Sequence, residues 1–430
     1  MTATTTQSVA MFSSMSIRNY RLFWTGGLIS NTGTWMARVA QDWLVLTVLT
    51  ANSSTALGIV TGLQFLPIAL LAPYAGSLAD RIPKRTLLMY TQVAQVLVGL
   101  TLAGLVLGGW IQLWHVYLLA TLLGVASAFD GPARQSFAPE MVPERLIPNA
   151  VGLNTTSFHA ARLVGPAVAG LTIAWWGVGP ALLMNGFSFI AVLVALAMMD
   201  TSALTPAPRT RAKGSIRAGF RYVRSRPDIM LLMFIVFMLG TFGLNFQLTN
   251  ALMATAVFHV GAEQYGLLGS ILAIGSLSAG LLAARRTQLR LRLIIGAMAG
   301  FSLAVAVLAL APNYWWYAVF LIPVGLTSLT VMTTANASVQ LSTEPVMRGR
   351  VMALYQAIFL GGTPLGAPVL GWVGDAFGPR WTLAIGAIAC ALTVVVAVAY
   401  LVRRDGWGVL PWRSNSDEDE LVLEPLEEAR

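Results

Sequence analysis

The chain has 430 residues, of which 56% are hydrophobic and only 10% charged, and its mean hydropathy is +0.71. That balance excludes a soluble enzyme of this size. The formal net charge of +9 sits in the gaps between apolar stretches, so it reports topology and attraction to anionic lipid and makes no case for nucleic acid as a partner. A single cysteine, Cys390, rules out an internal disulfide and most thiolate metal sites.

Residues 1–21 are polar and lack the apolar stretch of a cleavable leader, so they read as a cytoplasmic N-terminus followed by a first span that serves as an uncleaved insertion signal. A helix needs roughly 20 apolar residues to cross about 30 Å of hydrocarbon. Twelve such spans are predicted, near 22–50, 56–78, 86–108, 113–130, 149–175, 180–199, 229–258, 263–284, 293–311, 314–336, 351–374 and 381–402. The largest gap divides them into two six-helix bundles, 22–199 and 229–402, with a linker at 200–228 and an acidic tail at 403–430. Of the 27 Lys and Arg residues, all but Arg38, Arg162 and Arg380 fall in the termini and in every second gap. By the positive-inside rule both termini are then cytoplasmic and the protein is a multi-pass resident of a bacterial-type inner membrane.

The linker begins with a Pro- and Arg-rich stretch, Thr205 to Lys213. Beyond it Ile216, Phe220 and Val223 alternate with Arg217, Arg221 and Arg224 at helical spacing, which predicts a basic amphipathic helix on the inner leaflet. In the tail, the run Asp417 to Glu420 reads as a solvated, disordered end.

The two bundles echo each other. Span five opens VGLNTTSF at Val151 and span eleven opens VMALYQAI at Val351; both are rich in Gly and Pro and both end in a Gly-Pro turn. Paired, symmetric halves are how rocker-type secondary transporters are built, with the binding site between them.

Charge inside the spans is the sharpest chemical signal. Asn31, Trp35, Arg38 and Asp42 form one polar stripe on span one. An ionised side chain at mid-bilayer costs about 2.5 to 3.5 kcal/mol even on lenient scales, so it faces a partner or a wet cavity. Arg162 of span five has no acid on its own helix, which makes Asp42 the expected counter-ion, held between Arg38 and Arg162. One reading makes Asp42 a proton-responsive carboxylate; the other makes the three residues a permanently ionised structural triad. The surplus positive charge suits an anionic or carbonyl-bearing cargo. Spans seven and ten add polar surface through Asn245, Gln247, Thr249 and Asn250, and through Thr330 and Thr334. No metal cluster, phosphate-cradling loop or nucleophile constellation appears in the sequence, so neither a cofactor nor catalysis is expected.

The loop after span two reads Gly76-Ser77-Leu78-Ala79-Asp80-Arg81-Ile82-Pro83-Lys84-Arg85. It resembles the loop signature of the major facilitator superfamily, with Pro83 where that family usually has Gly. The resemblance implies the major facilitator fold, a cavity lined by spans one, seven and ten, and a latch formed by this loop. Asp80 would face the N-terminal dipole of span eleven, and Lys84 would pair with Asp130 at the end of span four. In span five, Gly152, Ala161, Gly165, Pro166, Ala169 and Gly170 follow the family's antiporter motif with two glycines replaced by alanine, which implies export. Further stretches, among them Phe129 to Gln135 and Arg348 to Met352, resemble the branch of enterobactin exporters and macrolide-efflux proteins. The resemblance implies a monomeric exporter of a small amphiphilic molecule, drug-like or siderophore-like, driven by the proton gradient. An importer or a lipid flippase on the same architecture is the alternative. Two family features are missing: an Arg opening span four, where Leu118 and Leu119 lie, and the Asp in the second copy of the loop signature, Gly280 to Arg286.

Overall fold

A computed structural model describes residues 11–205, 216–283 and 291–405, and every regular element among them is helical. The first group comprises α1 (Arg18–Trp43), α2 (Ser54–Arg81), α3 (Lys84–Leu107), α4 (Leu113–Phe137), α5 (Ile147–Trp176) and α6 (Val178–Ala197). A short α7 (Ile216–Ser225) precedes α8 (Pro227–Met238) and α9 (Phe246–Leu252), which form one broken unit through π-helical turns at Leu239–Gly243 and Met253–Val257. The remaining helices are α10 (Ala262–Ala283), α11 (Leu291–Ala309), α12 (Tyr314–Ser342), α13 (Pro345–Phe377) and α14 (Pro379–Asp405).

Ten helices among the described residues are long and apolar enough to cross a membrane. Helices α1 and α5, of 26 and 30 residues, are not among the ten. Both are long enough, but α1 carries Asn31, Arg38, Gln41 and Asp42, and α5 carries Asn154, His159 and Arg162. Each packs against other helices of the bundle, α1 on α5 and α6, and α5 on α1 and α10.

Helices α1 to α6 pack on one another, and α8 to α14 do the same. The two groups meet chiefly along α2 with α13 and α5 with α10. Small residues make these seams possible. A Cβ on Gly58 would overlap the carbonyl oxygen of Ala367, and one on Gly266 would overlap that of Pro166, so only glycine lets the backbones approach this closely.

The apolar core shows where the groups join. One large cluster runs from Leu44, Leu57, Leu102 and Ile173 of the first group into Leu252, Leu268, Phe301 and Leu370 of the second. A separate cluster, including Tyr20, Phe23, Leu88, Phe137 and Leu196, fills the opposite end of the first group alone. The groups therefore share a core at the end bearing Asp42, and the first group keeps its own core at the end bearing Arg81 and Arg85. At that basic end a Cβ on Gly76, Gly152 or Gly349 would meet nothing within 4 Å.

The basic linker helix forms as α7. It packs on α13, with Gly219 against Arg350 and Val223 buried, while Phe220 is exposed. Much of the Pro- and Arg-rich stretch, the end of the Gly280 to Arg286 segment and the acidic run from Asp417 lie outside the described residues.

Candidate functional site

The register of α1 decides what its polar stripe faces. Gly26 lies against Ala195, and Gly33 would clash with Ser188 if it bore a Cβ, so this side of α1 is pressed onto α6. Trp35, Arg38 and Asp42 lie on the opposite side. There the Cβ of Trp35 fills the space left by Gly165 of α5, which is the packing role of one antiporter-motif glycine.

Trp35 is the centre of a cluster. The Arg38 guanidinium lies over its ring at 4.7 Å and over that of Phe65 at 5.5 Å. Arg162 lies over the same Trp35 ring at 5.4 Å, and Phe158 meets it edge-on at 5.9 Å. Among the described residues neither guanidinium has a hydrogen-bond or ion-pair partner, and the Nε of Arg38 is buried without one.

Asp42 has a different partner from the one its spacing suggests. It is 5% exposed and accepts the hydroxyl of Tyr265 at 2.7 Å. Tyr265 belongs to α10, so the bond joins the two groups, and its ring stacks on Trp43 at 6.1 Å. No ion pair within 4.0 Å links Asp42 to Arg38 or Arg162 among the described residues. Direct ion pairing in the expected triad is thus replaced by a carboxylate–tyrosine bond beside an Arg–Trp–Arg cluster, with Asp42 and Arg38 still acting on each other electrostatically at longer range. The physical reason is register: α10 brings a phenol to Asp42, while Trp35 holds both guanidiniums through its ring face.

A second link at the same end escaped the sequence reading. Asp375 of α13 accepts the backbone N–H of Ser54 at 2.7 Å and of Thr55 at 2.9 Å, and the Ser53 hydroxyl at 3.1 Å. Ser53 itself caps α2 by accepting from the N–H of Ala56 at 3.2 Å. The N-terminus of α2 is therefore held by a carboxylate from the other group.

The other predicted residues separate into distinct places. Asn245 donates to the Thr241 carbonyl at 2.7 Å and leaves its Oδ1 buried without a partner; Gln247 is half-buried and Asn31 likewise. Asn250 accepts from Tyr317 at 2.7 Å, Thr249 donates to the Asn245 carbonyl at 3.3 Å, and Thr330 to that of Leu326 at 2.8 Å. Thr334 is buried. None of these is hydrogen-bonded to the Trp35 cluster.

At the basic end, Lys84 pairs with Glu140 rather than with Asp130. Asp130 instead accepts from Thr91 at 2.9 Å, Gln92 at 2.7 Å and Arg134 at 3.0 Å. Arg134 stands one helical turn away on α4 and so claims the carboxylate first. Arg85 donates to the Leu196 carbonyl at 2.8 Å, Arg81 is exposed, and the side chain of Asp80 lies outside the described residues. The basic residues of this loop that have partners thus find them within the first group. Of the antiporter-type residues, Ala161 and Ala169 are fully packed, and Pro166 and Gly170 form the seam with α10.

Two groups of helices that meet along paired helices, joined by polar links across their interface, have the architecture of a major facilitator transporter. The chain belongs to the transmembrane secretion effector family of that superfamily, matched over residues 9–421. It is similar to the Staphyloferrin A transporter of Staphylococcus aureus, with 24% identity over 89% of this chain and 96% of the relative. It is also similar to the multidrug efflux pump Tap of Mycobacterium tuberculosis, with 26% identity over 88% and 92%. In fold it matches a bacterial homolog of the human lysosomal transporter Spinster, described as inward-facing and unoccupied, with a TM-score of 0.68 at 14% identity over 89% of this chain and 95% of that one. The protein is an efflux-type transporter that passes the membrane several times, and it is not an enzyme.

Proposed function

We propose that the protein exports a small amphiphilic molecule across a bacterial-type inner membrane by alternating access, exchanging it for protons. In this reading twelve helices, α1 and α5 included, form two six-helix halves, 22–199 and 229–402, acting as a monomer. Basic residues at the Arg81 and Arg85 end make that end cytoplasmic. The Asp42 end is then the outer gate, closed here.

The observation that carries the reading is the bond from Tyr265 to Asp42, which joins an ionisable group of one half to the other at the end this reading makes the outer one. Closing that contact removes Asp42 from water, and burying a carboxylate is costly unless it is neutralised or well bonded. A proton taken up from outside lowers that cost as the gate closes. Its release to the cytoplasm leaves a carboxylate bonded to Tyr265, which holds the empty carrier inward-facing until cargo arrives. The proton gradient then drives cargo outward, since each return step carries a proton in. Relatives that bear the names Staphyloferrin A transporter and multidrug efflux pump Tap support small-molecule export.

Dye efflux from proteoliposomes under an imposed pH gradient tests this. Asp42→Asn should abolish the acceleration by the gradient while downhill exchange of the dye continues. Gradient-driven efflux that survives the substitution would remove Asp42 from the coupling.

A further inference from the structure

We infer that Arg38 and Arg162 receive a carboxylate on the cargo, so that the exported class is amphiphilic organic anions. This rests on the export reading above and specifies its substrate. Two guanidiniums stand within the bundle, on α1 and α5, and neither has a hydrogen bond or ion pair among the described residues. Such a charge in a membrane protein is stabilised by a partner or by a ligand. The protein acid nearest in sequence to Arg38 is Asp42, and its carboxylate is engaged by Tyr265 of the opposite half. Asp42 also offsets part of the Arg38 charge from a distance, whereas no acid among the described residues acts on Arg162, so the pair keeps a positive charge for something that is not part of the chain.

The way the guanidiniums are held indicates what that is. Each lies over the ring of Trp35, at 4.7 Å for Arg38 and 5.4 Å for Arg162, and an aromatic face takes up the cation without using its N–H donors. Those donors form a planar fork that matches a carboxylate. Asp42 stands one turn from Arg38, which favours a singly charged carboxylate over a doubly charged phosphate. Phe65 and Phe158, packed around the same cluster, offer an apolar wall to the rest of the cargo.

Fluorescence polarisation on the full chain in phosphatidylcholine nanodiscs tests this with two dyes of one xanthene framework: fluorescein, which bears a free carboxylate, and rhodamine 6G, which is an esterified cation. Fluorescein should bind the parent more tightly. Arg38→Gln and Arg162→Gln should each weaken it by about tenfold, the loss expected for a charge-assisted hydrogen bond, and leave rhodamine 6G unchanged or tighter. A measurement on the parent alone guards against variants that fail to fold: benzoate should displace fluorescein and methyl benzoate should not. Tighter binding of rhodamine 6G, equal displacement by the ester, or stronger displacement by inorganic phosphate would each overturn the assignment. Gradient-driven efflux of rhodamine 6G with no fluorescein binding would sink this inference and leave export standing. Fluorescein bound as expected but indifferent to the gradient would do the reverse.

Discussion

The carboxylate of Asp375, near the end of α13, accepts the backbone N–H of Ser54, the first residue of α2, at 2.7 Å. Together with its bond to Thr55 and the Ser53 cap, it satisfies three of the N–H groups that a helix start leaves open. Because α2 and α13 belong to different halves, this end cap also ties the halves together, at the end proposed to face outward. Asp375→Ala should loosen outer closure by roughly 1 kcal/mol, the usual worth of a helix cap, and less in high salt because the group is exposed. A reporter Thr61→Cys, buried beside this seam in a protein whose own Cys390 is buried, reads the change. Labelling by an impermeant maleimide from outside should rise several-fold in the Asp375 variant. Equal labelling would show that the cap does not hold the gate.

Tyr265 carries the second link between the halves. Tyr265→Phe keeps the ring stacked on Trp43 and removes only the hydroxyl that Asp42 accepts, leaving a buried carboxylate with one donor fewer. The expected loss is about 1 to 3 kcal/mol for an orphaned buried acceptor, seen as a lower thermal midpoint in detergent. In a double-mutant cycle with Asp42→Ala the effects should fall short of additive, since both changes remove the same bond. Strict additivity would mean the two side chains act independently.

Much of the architecture was legible in the sequence because lipid imposes it. Apolar length and the alternation of Lys and Arg mark the spans, and the Gly-Pro pattern around Gly165, Pro166 and Gly170 marks a close-packed seam. Hydropathy was weakest in α1 and α5, whose polar residues lower the signal. The site was half legible. Spacing identified Trp35, Arg38 and Asp42 as one face, and Arg162 as unmatched. It could not assign partners, because Tyr265 is 223 residues from Asp42 in the chain and only the packing of α10 brings it there. Asp375 was missed for a similar reason, since a carboxylate beside a Gly-Pro turn looks like ordinary loop polarity until α2 is seen starting next to it. The pairing of Lys84 with Glu140 was hidden by the 3-10 turn at Ala138–Met141, which carries Glu140 back toward α3.

Asp130 tests whether its network is structural or a moving part. It is 8% exposed and accepts from Thr91, Gln92 and Arg134, all within the first half. Asp130→Ala takes the acceptor from Arg134, while Thr91 keeps the Leu88 carbonyl at 3.0 Å and Gln92 keeps Gln95 at 3.2 Å. It should lower stability by roughly 3 kcal/mol, as for a broken buried ion pair. The outside labelling of the Thr61→Cys reporter should not change in the fraction that folds. A shift in labelling without loss of stability would make Asp130 part of the gate.

The glycines of the seams separate close approach from mere flexibility. On α10, Gly266 faces the carbonyl oxygen of Pro166 and the backbone of Gly170 so closely that any Cβ must push α5 away. Gly266→Val therefore cannot close the outer gate without moving a helix, and overpacking of this kind is not relieved by a change of rotamer. The variant should remain outward-open, with the Thr61→Cys reporter labelled at a high level whether or not cargo is present, and with uphill efflux reduced by at least about tenfold. Gly76 on α2 is the contrast, because a Cβ there meets nothing within 4 Å. Gly76→Ala should preserve folding and raise helix stability by about 0.5 to 1 kcal/mol. Any loss of transport in that variant would then arise in the state where the basic end closes, since the present state leaves the position open. If Gly266→Val were still protected from labelling, the α5–α10 seam would not be the element that seals the outer side.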